Sequence, residues 1–151
     1  MAFAASMNGP SCEIGIADVL LRTLALQTRE QTYSGPPSAR LRRDRIDRTI
    51  ALLVENKERL STAISADFGV RSPLVNLLTD VGGSIAALKY ARANLGAWMR
   101  PEKRHTTPSV LGLLGAKAWV QYQPKGVVGV ISPWNFPVNL TFGPLAGILA
   151  A

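Results

Sequence analysis

A short apolar run late in the chain constrains its fold more than any other feature. Residues 127–131, Val-Val-Gly-Val-Ile, are nearly all β-branched, which is typical of a strand buried on both faces of a parallel sheet. Residues 132–137 predict a turn, and the apolar segment 138–151 predicts the start of a helix. A buried strand, a tight turn and an apolar helix make the first half of a βαβ unit.

The second half of that unit has no counterpart in the sequence. A parallel strand does not pair alone, and neither an internal repeat nor a low-complexity tract offers another partner. We therefore expect an α/β protein of which these 151 residues are the beginning. The apolar run Leu140–Ala151 is then expected to expose a patch that lacks its sheet.

Three helices are predicted before the strand. Apolar residues recur at helical spacing over residues 12–32, over 39–67 and again from Pro73 to about residue 92. Ser38 is expected to cap the second helix, Gly69 to end it, and Ser72 to cap the third.

A second type of pattern lies between the helices and the buried run. Residues 118–123 alternate apolar and polar side chains, as a strand with one solvated face does. The Gly-Pro-Pro break at 35–37 cannot continue a helix, so it predicts a boundary between a helical extension, residues 1–37, and the rest of the chain, residues 38–151.

The net charge of +7 raises the question of an anionic partner. Five arginines crowd the start of the second helix, but Asp44 and Asp47 interrupt them, and the apolar spacing explains the run as a solvated helix face. No zinc spacing or aromatic nucleic-acid motif accompanies it, so we expect no nucleic-acid partner. The run comprises Arg40, Arg42, Arg43, Arg45 and Arg48.

Cysteine and histidine usage excludes several chemistries. One cysteine, Cys12, and one histidine, His105, leave no disulfide framework, no metal site and no serine–histidine pair. Cys12 has no flanking cation to activate it, so we expect a free, non-catalytic thiol, and His105 is expected in a loop. With no signal peptide and no apolar run long enough for a membrane span, the chain is predicted to be cytoplasmic.

Asn135 is the candidate for chemistry. It lies between Pro133 and Pro137, which limit its backbone, and its amide can donate to a developing oxyanion. The alternative is that Asn135 only satisfies backbone groups of the turn. Trp98 and Trp119 are expected to be packing residues.

The run from Tyr122 onward closely resembles the aldehyde dehydrogenase superfamily, whose members follow a Gly-Val-Val strand with Pro-Trp-Asn-Phe/Tyr-Pro, here residues 133–137. The Asp-Phe-Gly at 67–69 and the stretch 97–101 are also similar to that family. The resemblance covers about residues 38–151, and within the superfamily it is greatest to the bacterial coniferyl aldehyde dehydrogenases.

The resemblance implies a reaction and a site. Asn135 would donate to the carbonyl oxygen of a small-molecule aldehyde, and the residues before it would line the nicotinamide and ribose part of an NAD or NADP site. The reaction would oxidise an aromatic, coniferyl aldehyde-like substrate to the carboxylic acid. The cofactor-lining residues would be Ile131, Ser132, Pro133 and Trp134.

The resemblance also implies an architecture: a Rossmann-like cofactor domain, and an oligomerisation element that includes the strand at 118–123 and makes a homodimer or higher oligomer. The family's nucleophilic cysteine and glutamate base lie beyond the Asn motif, whereas Cys12 precedes it, and Glu102 is expected to be a surface charge. The chain alone is therefore expected to be inactive. The alternative is a short, non-catalytic binding or assembly partner of full-length dehydrogenase subunits.

Overall fold

The computed structural model describes residues 15–151, which form two compact units divided after Gly35. The first described element is helix α1, Ile16–Ser34, and none of its residues is buried within its own unit. The predicted first helix is thus confirmed in type. Its expected first residues, 12–14, and the thiol of Cys12 lie outside the described residues.

The predicted helix over 39–67 is present as two helices, α2 (Ala39–Glu55) and α3 (Lys57–Phe68). Ser38 caps α2 by accepting from the Leu41 N–H at 3.3 Å, and Gly69, at φ 73°, ends α3. The break is at Asn56, whose side chain donates to the Leu52 carbonyl at 2.9 Å. A short amide side chain that bonds the backbone in this way competes with helix continuation.

The third predicted helix begins at Pro73 as α4 (Pro73–Val75), widens into a π-helix (Asn76–Gly82) and continues as α5 (Gly83–Trp98). Right-handed helical dihedrals at Val75 and Gly83 keep these segments continuous. The expectation that the Ser72 side chain caps this helix is wrong, because its hydroxyl makes no capping hydrogen bond.

The core lies where α2, α3, α5 and the last helix, α7 (Asn139–Ala150), meet. The expectation that residues 140–151 expose an apolar patch is wrong for this helix. Ala146 and Ala150 are buried, and Phe142 and Leu149 pack against the same core. Small residues four positions apart on one helix face let α7 lie close to its neighbours.

The sheet consists of two antiparallel strands, β1 (Glu102–Arg104) and β2 (Ala118–Val120), with Lys103 opposite Trp119. The strand predicted over 118–123 is confirmed for its first three residues, which are the ones that have a partner. The connection predicted between Pro101 and residue 115 contains β1 and a short helix, α6 (Val110–Leu113). His105 is exposed in the loop after β1, as expected, and Glu102 is an exposed residue paired with Arg104.

The prediction of a buried strand over 127–131 is wrong for the part of the chain that the structure describes. This segment has no regular secondary structure. Val128 is 48% exposed and Ile131 is 99% exposed, because no strand pairs with the segment to cover it. The structure is therefore largely helical with a small antiparallel sheet.

One arginine of the basic run faces inward, contrary to the expectation of a solvated face. Arg42 is buried, and it donates through Nε to the Pro37 carbonyl and through Nη1 to the Ala150 carbonyl, each at 2.9 Å. Burial, and secondarily the charge of Arg45, lowers the pKa of Arg42. The guanidinium stays charged, since arginine does not deprotonate in proteins, and it joins the start of α2 to the end of α7.

No helix within residues 15–151 combines the length and the apolar character that crossing a membrane requires.

Candidate active site

Asn135 lies in the bend between the irregular segment 127–131 and helix α7. Its side chain is exposed, and its amide makes no hydrogen bond with any residue in the described range. Its backbone carbonyl, by contrast, accepts a 2.7 Å hydrogen bond from Nη1 of Arg71. The bend is therefore held by its backbone, while the Asn135 amide stays free to bind a ligand.

Arg71 reaches the bend from the loop between α3 and α4. Its guanidinium contacts two aromatic rings, with its central carbon 5.0 Å from the centroid of Phe68 and 4.6 Å from that of Phe136. Its Nη2 donates to Oδ2 of Asp80 at 2.6 Å. Stacking and a charge-assisted hydrogen bond fix a planar guanidinium in both position and orientation.

Asp80 sits on the π-helix and is fully buried. While its Oδ2 accepts from Arg71, its Oδ1 accepts from the backbone N–H groups of Val138, at 3.1 Å, and Asn139, at 3.2 Å. These N–H groups open α7 and have no partner within that helix, so a carboxylate there is favourable. Asp80 thus holds the start of α7 directly, and it orients Arg71, which holds the Asn135 carbonyl. We call Arg71 and Asp80 the clamp.

The π-helix also provides an acceptor for α7. The Gly83 N–H donates to the carbonyls of Leu78 and Asp80 and not to that of Thr79, four residues back. The Thr79 carbonyl instead accepts from Nδ2 of Asn139 at 2.6 Å. This approach requires a glycine, because a Cβ at Gly83 would lie 2.4 Å from that nitrogen.

The residues expected to line the cofactor precede Asn135 in the sequence, and most of them are exposed. Ile131 and Trp134 are 99% and 85% exposed, and Pro133 is exposed too. Ser132 is half-buried, with Oγ 2.7 Å from Oγ1 of Thr141. Thr141 donates its own proton to the Pro137 carbonyl, so Ser132 is the donor of this pair and keeps its lone pairs available.

A cleft of about 700 Å³ lies elsewhere in the second unit, and its lining does not include the Asn135 bend. Its walls include Arg42, Trp98 and Tyr122. Trp98 also packs against Tyr90, with ring centroids 5.9 Å apart, whereas Trp119 is 57% exposed on the sheet. The packing role expected of the two tryptophans therefore fits Trp98 better than Trp119.

The clamp residues were not among the sequence candidates. Asp80 lies beside the apolar stripe of the predicted third helix and outside it, so the helical spacing did not indicate that its carboxylate is buried. Nothing local in the sequence indicates that its partners are Arg71 and the start of α7, which lies 58 residues away.

Comparison with known proteins agrees with the resemblance seen in the sequence. The profile of the aldehyde dehydrogenase family matches residues 29–151. A probable coniferyl aldehyde dehydrogenase of Caulobacter vibrioides is 59% identical over 134 residues, which are 89% of this chain and 27% of the relative. A coniferyl aldehyde dehydrogenase of Pseudomonas sp. is 53% identical over 135 residues, with the same coverage of 89% and 27%.

A more distant relative is aldehyde dehydrogenase family 3 member B1 of Homo sapiens, which is 37% identical over 99 residues, 66% of this chain and 20% of the relative. The chain thus spans about a quarter of the length of these two coniferyl aldehyde dehydrogenases. The family profile covers the clamp, the Asn135 bend and α7. The chain belongs to the aldehyde dehydrogenase family.

Proposed function

We propose that these residues are the N-terminal part of a longer enzyme that oxidises an aromatic aldehyde, similar to coniferyl aldehyde, to the carboxylic acid with NAD or NADP. The observation that carries the proposal is the free Asn135 amide on a bend held by its backbone. The names of the relatives from Caulobacter vibrioides and Pseudomonas sp. support the substrate class.

Asn135 supplies the electrophilic part of the reaction. When a nucleophile attacks the aldehyde carbon, negative charge develops on the carbonyl oxygen, and an amide N–H fixed in advance stabilises it. The side chain has this freedom because the clamp bonds only backbone atoms of the bend, at Asn135, Val138 and Asn139. The nucleophilic cysteine and the glutamate base lie outside these residues, so this part of the enzyme is inactive alone.

The residues preceding Asn135 fit a nicotinamide nucleotide. Ile131 and Trp134 offer apolar surface that suits a flat ring, and Ser132 offers free lone pairs that suit a ribose hydroxyl. The cofactor supplies the hydride acceptor for the oxidation. These side chains bind and orient it beside the aldehyde. A Rossmann-like domain in the complete enzyme would hold its remainder.

The proposal extends to the oligomeric state of the complete enzyme and to its place in the cell. The antiparallel pair of β1 and β2 carries Trp119 largely exposed, and we assign this hairpin to the contact that makes a homodimer or higher oligomer. The complete enzyme works in the cytoplasm, in keeping with a sequence that has one cysteine in 151 residues.

The test is an assay of the complete protein for aldehyde-dependent reduction of NAD⁺ and of NADP⁺. Coniferyl aldehyde is compared with a short aliphatic aldehyde at equal concentrations. The proposal expects NAD(P)H formation that needs both substrates and a higher kcat/KM for the aromatic aldehyde. Equal efficiency for both aldehydes contradicts the substrate class, and no reduction of either nucleotide contradicts the activity.

A further inference from the structure

The clamp lies beside the proposed oxyanion donor but touches only its backbone. Arg71 bonds the Asn135 carbonyl at 2.7 Å, and Asp80 bonds the N–H groups three and four residues later. A peptide carbonyl fixed in direction also fixes the plane of the peptide that follows it. The two contacts therefore restrict the backbone from which the Asn135 side chain projects.

We infer that Arg71 and Asp80 are positioning residues for aldehyde oxidation, acting through Asn135 to aim its amide at the aldehyde oxygen. The inference rests on the proposed function. Neither residue touches substrate: the side chain of Asp80 is fully buried and that of Arg71 is 11% exposed. Their polar atoms are directed to each other, to Thr79 and to the backbone around Asn135.

The geometry of the clamp suits orientation better than binding. Arg71 has three polar partners, one bound through Nη1 and two through Nη2, and its guanidinium also lies over two aromatic rings. The N–H groups of a planar guanidinium hold their acceptors at fixed angles to one another, whereas a lysine ammonium acts as a point charge. A donor displaced by about 1 Å can lose on the order of 10²-fold in rate. Disturbing the clamp should therefore lower kcat more than it raises KM.

The experiment is a double-mutant cycle in the complete protein, with coniferyl aldehyde as substrate. Kinetics are compared for the wild type, Arg71→Gln, Asn135→Ala and the double variant. We expect Arg71→Gln to lower kcat by about 10- to 100-fold, with KM changed by less than about 3-fold. In the Asn135→Ala background the same change should have almost no further effect, because residues that act as a unit are not additive.

Two further variants separate positioning from general stability. Arg71→Lys keeps the charge and should retain more kcat than Arg71→Gln, and it carries the same cycle if the Gln variant does not fold. Arg92→Gln is the matched control, since Arg92 bonds Asp47 across α2 and α5 without touching the bend. It should leave kcat unchanged in both backgrounds.

The outcomes also separate this inference from the proposed function. An inactive wild-type protein overturns the function on which the inference rests. If the wild type is active and Asn135→Ala lowers kcat, two results overturn the positioning role alone. In the first, Arg71→Gln leaves kcat unchanged. In the second, Arg71→Gln lowers kcat by the same factor in the wild type and in the Asn135→Ala background. A sub-additive cycle with partial rescue by lysine supports it.

Discussion

The side chain of Asn139 on α7 lies close to the backbone of Gly83, the first residue of α5. The helical backbone at Gly83 leaves room for the Asn139 amide to reach the Thr79 carbonyl at 2.6 Å. A glycine within a helix costs about 1 kcal/mol of helix propensity relative to alanine. At this position the close approach accounts for its presence.

Replacing Gly83 with alanine is therefore expected to destabilise the protein despite the better helix former. The new Cβ would lie 2.4 Å from Asn139 Nδ2, so the amide must leave the partly buried Thr79 carbonyl. The lost hydrogen bond and the crowding together should cost roughly 1–3 kcal/mol. The control is Gly147→Ala in α7, where a Cβ meets nothing within 4 Å, and it should stabilise by about 0.5–1 kcal/mol. Urea unfolding of both variants checks this prediction, and equal midpoints would contradict it.

Asp80 is the residue on which the bend depends most for stability. Removing one partner of a buried ion pair leaves an uncompensated charge and typically costs about 3–5 kcal/mol. The loss of unfolding free energy in Asp80→Ala is expected in that range, because two backbone N–H groups lose their acceptor as well. Asp47→Ala, which breaks an ion pair about half exposed on both sides, should cost less than about 1 kcal/mol. Chemical denaturation of the two variants gives the comparison, and similar losses would refute the account of the clamp.

At the scale of elements, Arg42 ties the start of α2 to the end of α7. Its two hydrogen bonds satisfy the carbonyls of Pro37 and Ala150, the second of which lies in the last turn of a helix, where carbonyls lack intrahelical partners. A cation at that end also interacts favourably with the helix dipole. The buried arginine therefore holds the C-terminal end of α7 against the start of α2.

Arg42→Met is predicted to loosen that attachment. The methionine fills much of the volume but bonds neither carbonyl, which should cost roughly 1–3 kcal/mol. Arg40→Met is the matched control, since Arg40 belongs to the same run but is exposed. Hydrogen exchange of α7 amides should accelerate in the Arg42 variant only. Equal protection in the two variants would show that Arg42 is dispensable for the packing of α7.

Helices were predictable from the sequence because their signals are local. Apolar spacing, Ser38 and Gly69 mark α2 and α3 to within a few residues, and only the Asn56 break was missed. The strand predicted over 127–131 is absent from the structure, because a run of valines becomes a strand only beside another strand. An apolar pattern thus indicates what must be covered and leaves open what covers it.

The candidate site was predictable only in part for the same reason. The motif at 133–137 singled out Asn135 through its flanking prolines and its resemblance to a family. The clamp joins positions 9 residues apart, Arg71 and Asp80, to a bend 58 to 64 residues further on. No local periodicity encodes pairings over that separation, so they emerge only from the tertiary packing of α7.

At the scale of the whole molecule, the hairpin of β1 and β2 is the element assigned to assembly. An exposed strand offers unpaired backbone groups and invites pairing with another chain. Trp119→Lys places a charge on that surface and should shift the complete protein toward monomer, by light scattering after size-exclusion chromatography. The control is Tyr33→Lys. Tyr33 lies on α1 and is 80% exposed within its unit, so this change should leave the mass of the oligomer unchanged. An unaltered oligomer in the Trp119 variant would place the interface elsewhere.

The central claim is that the Asn135 amide stabilises the oxyanion of aldehyde oxidation. The most direct measurement is kcat of Asn135→Ala in the complete protein with coniferyl aldehyde and the preferred nucleotide. Asn94→Ala is the control, since Asn94 is a half-buried asparagine on α5 whose amide bonds only the Tyr90 carbonyl of its own helix. We predict a loss of about 10²–10³-fold for Asn135→Ala, an unchanged unfolding midpoint, and no loss for Asn94→Ala. A kcat within a few-fold of wild type for Asn135→Ala would contradict the account.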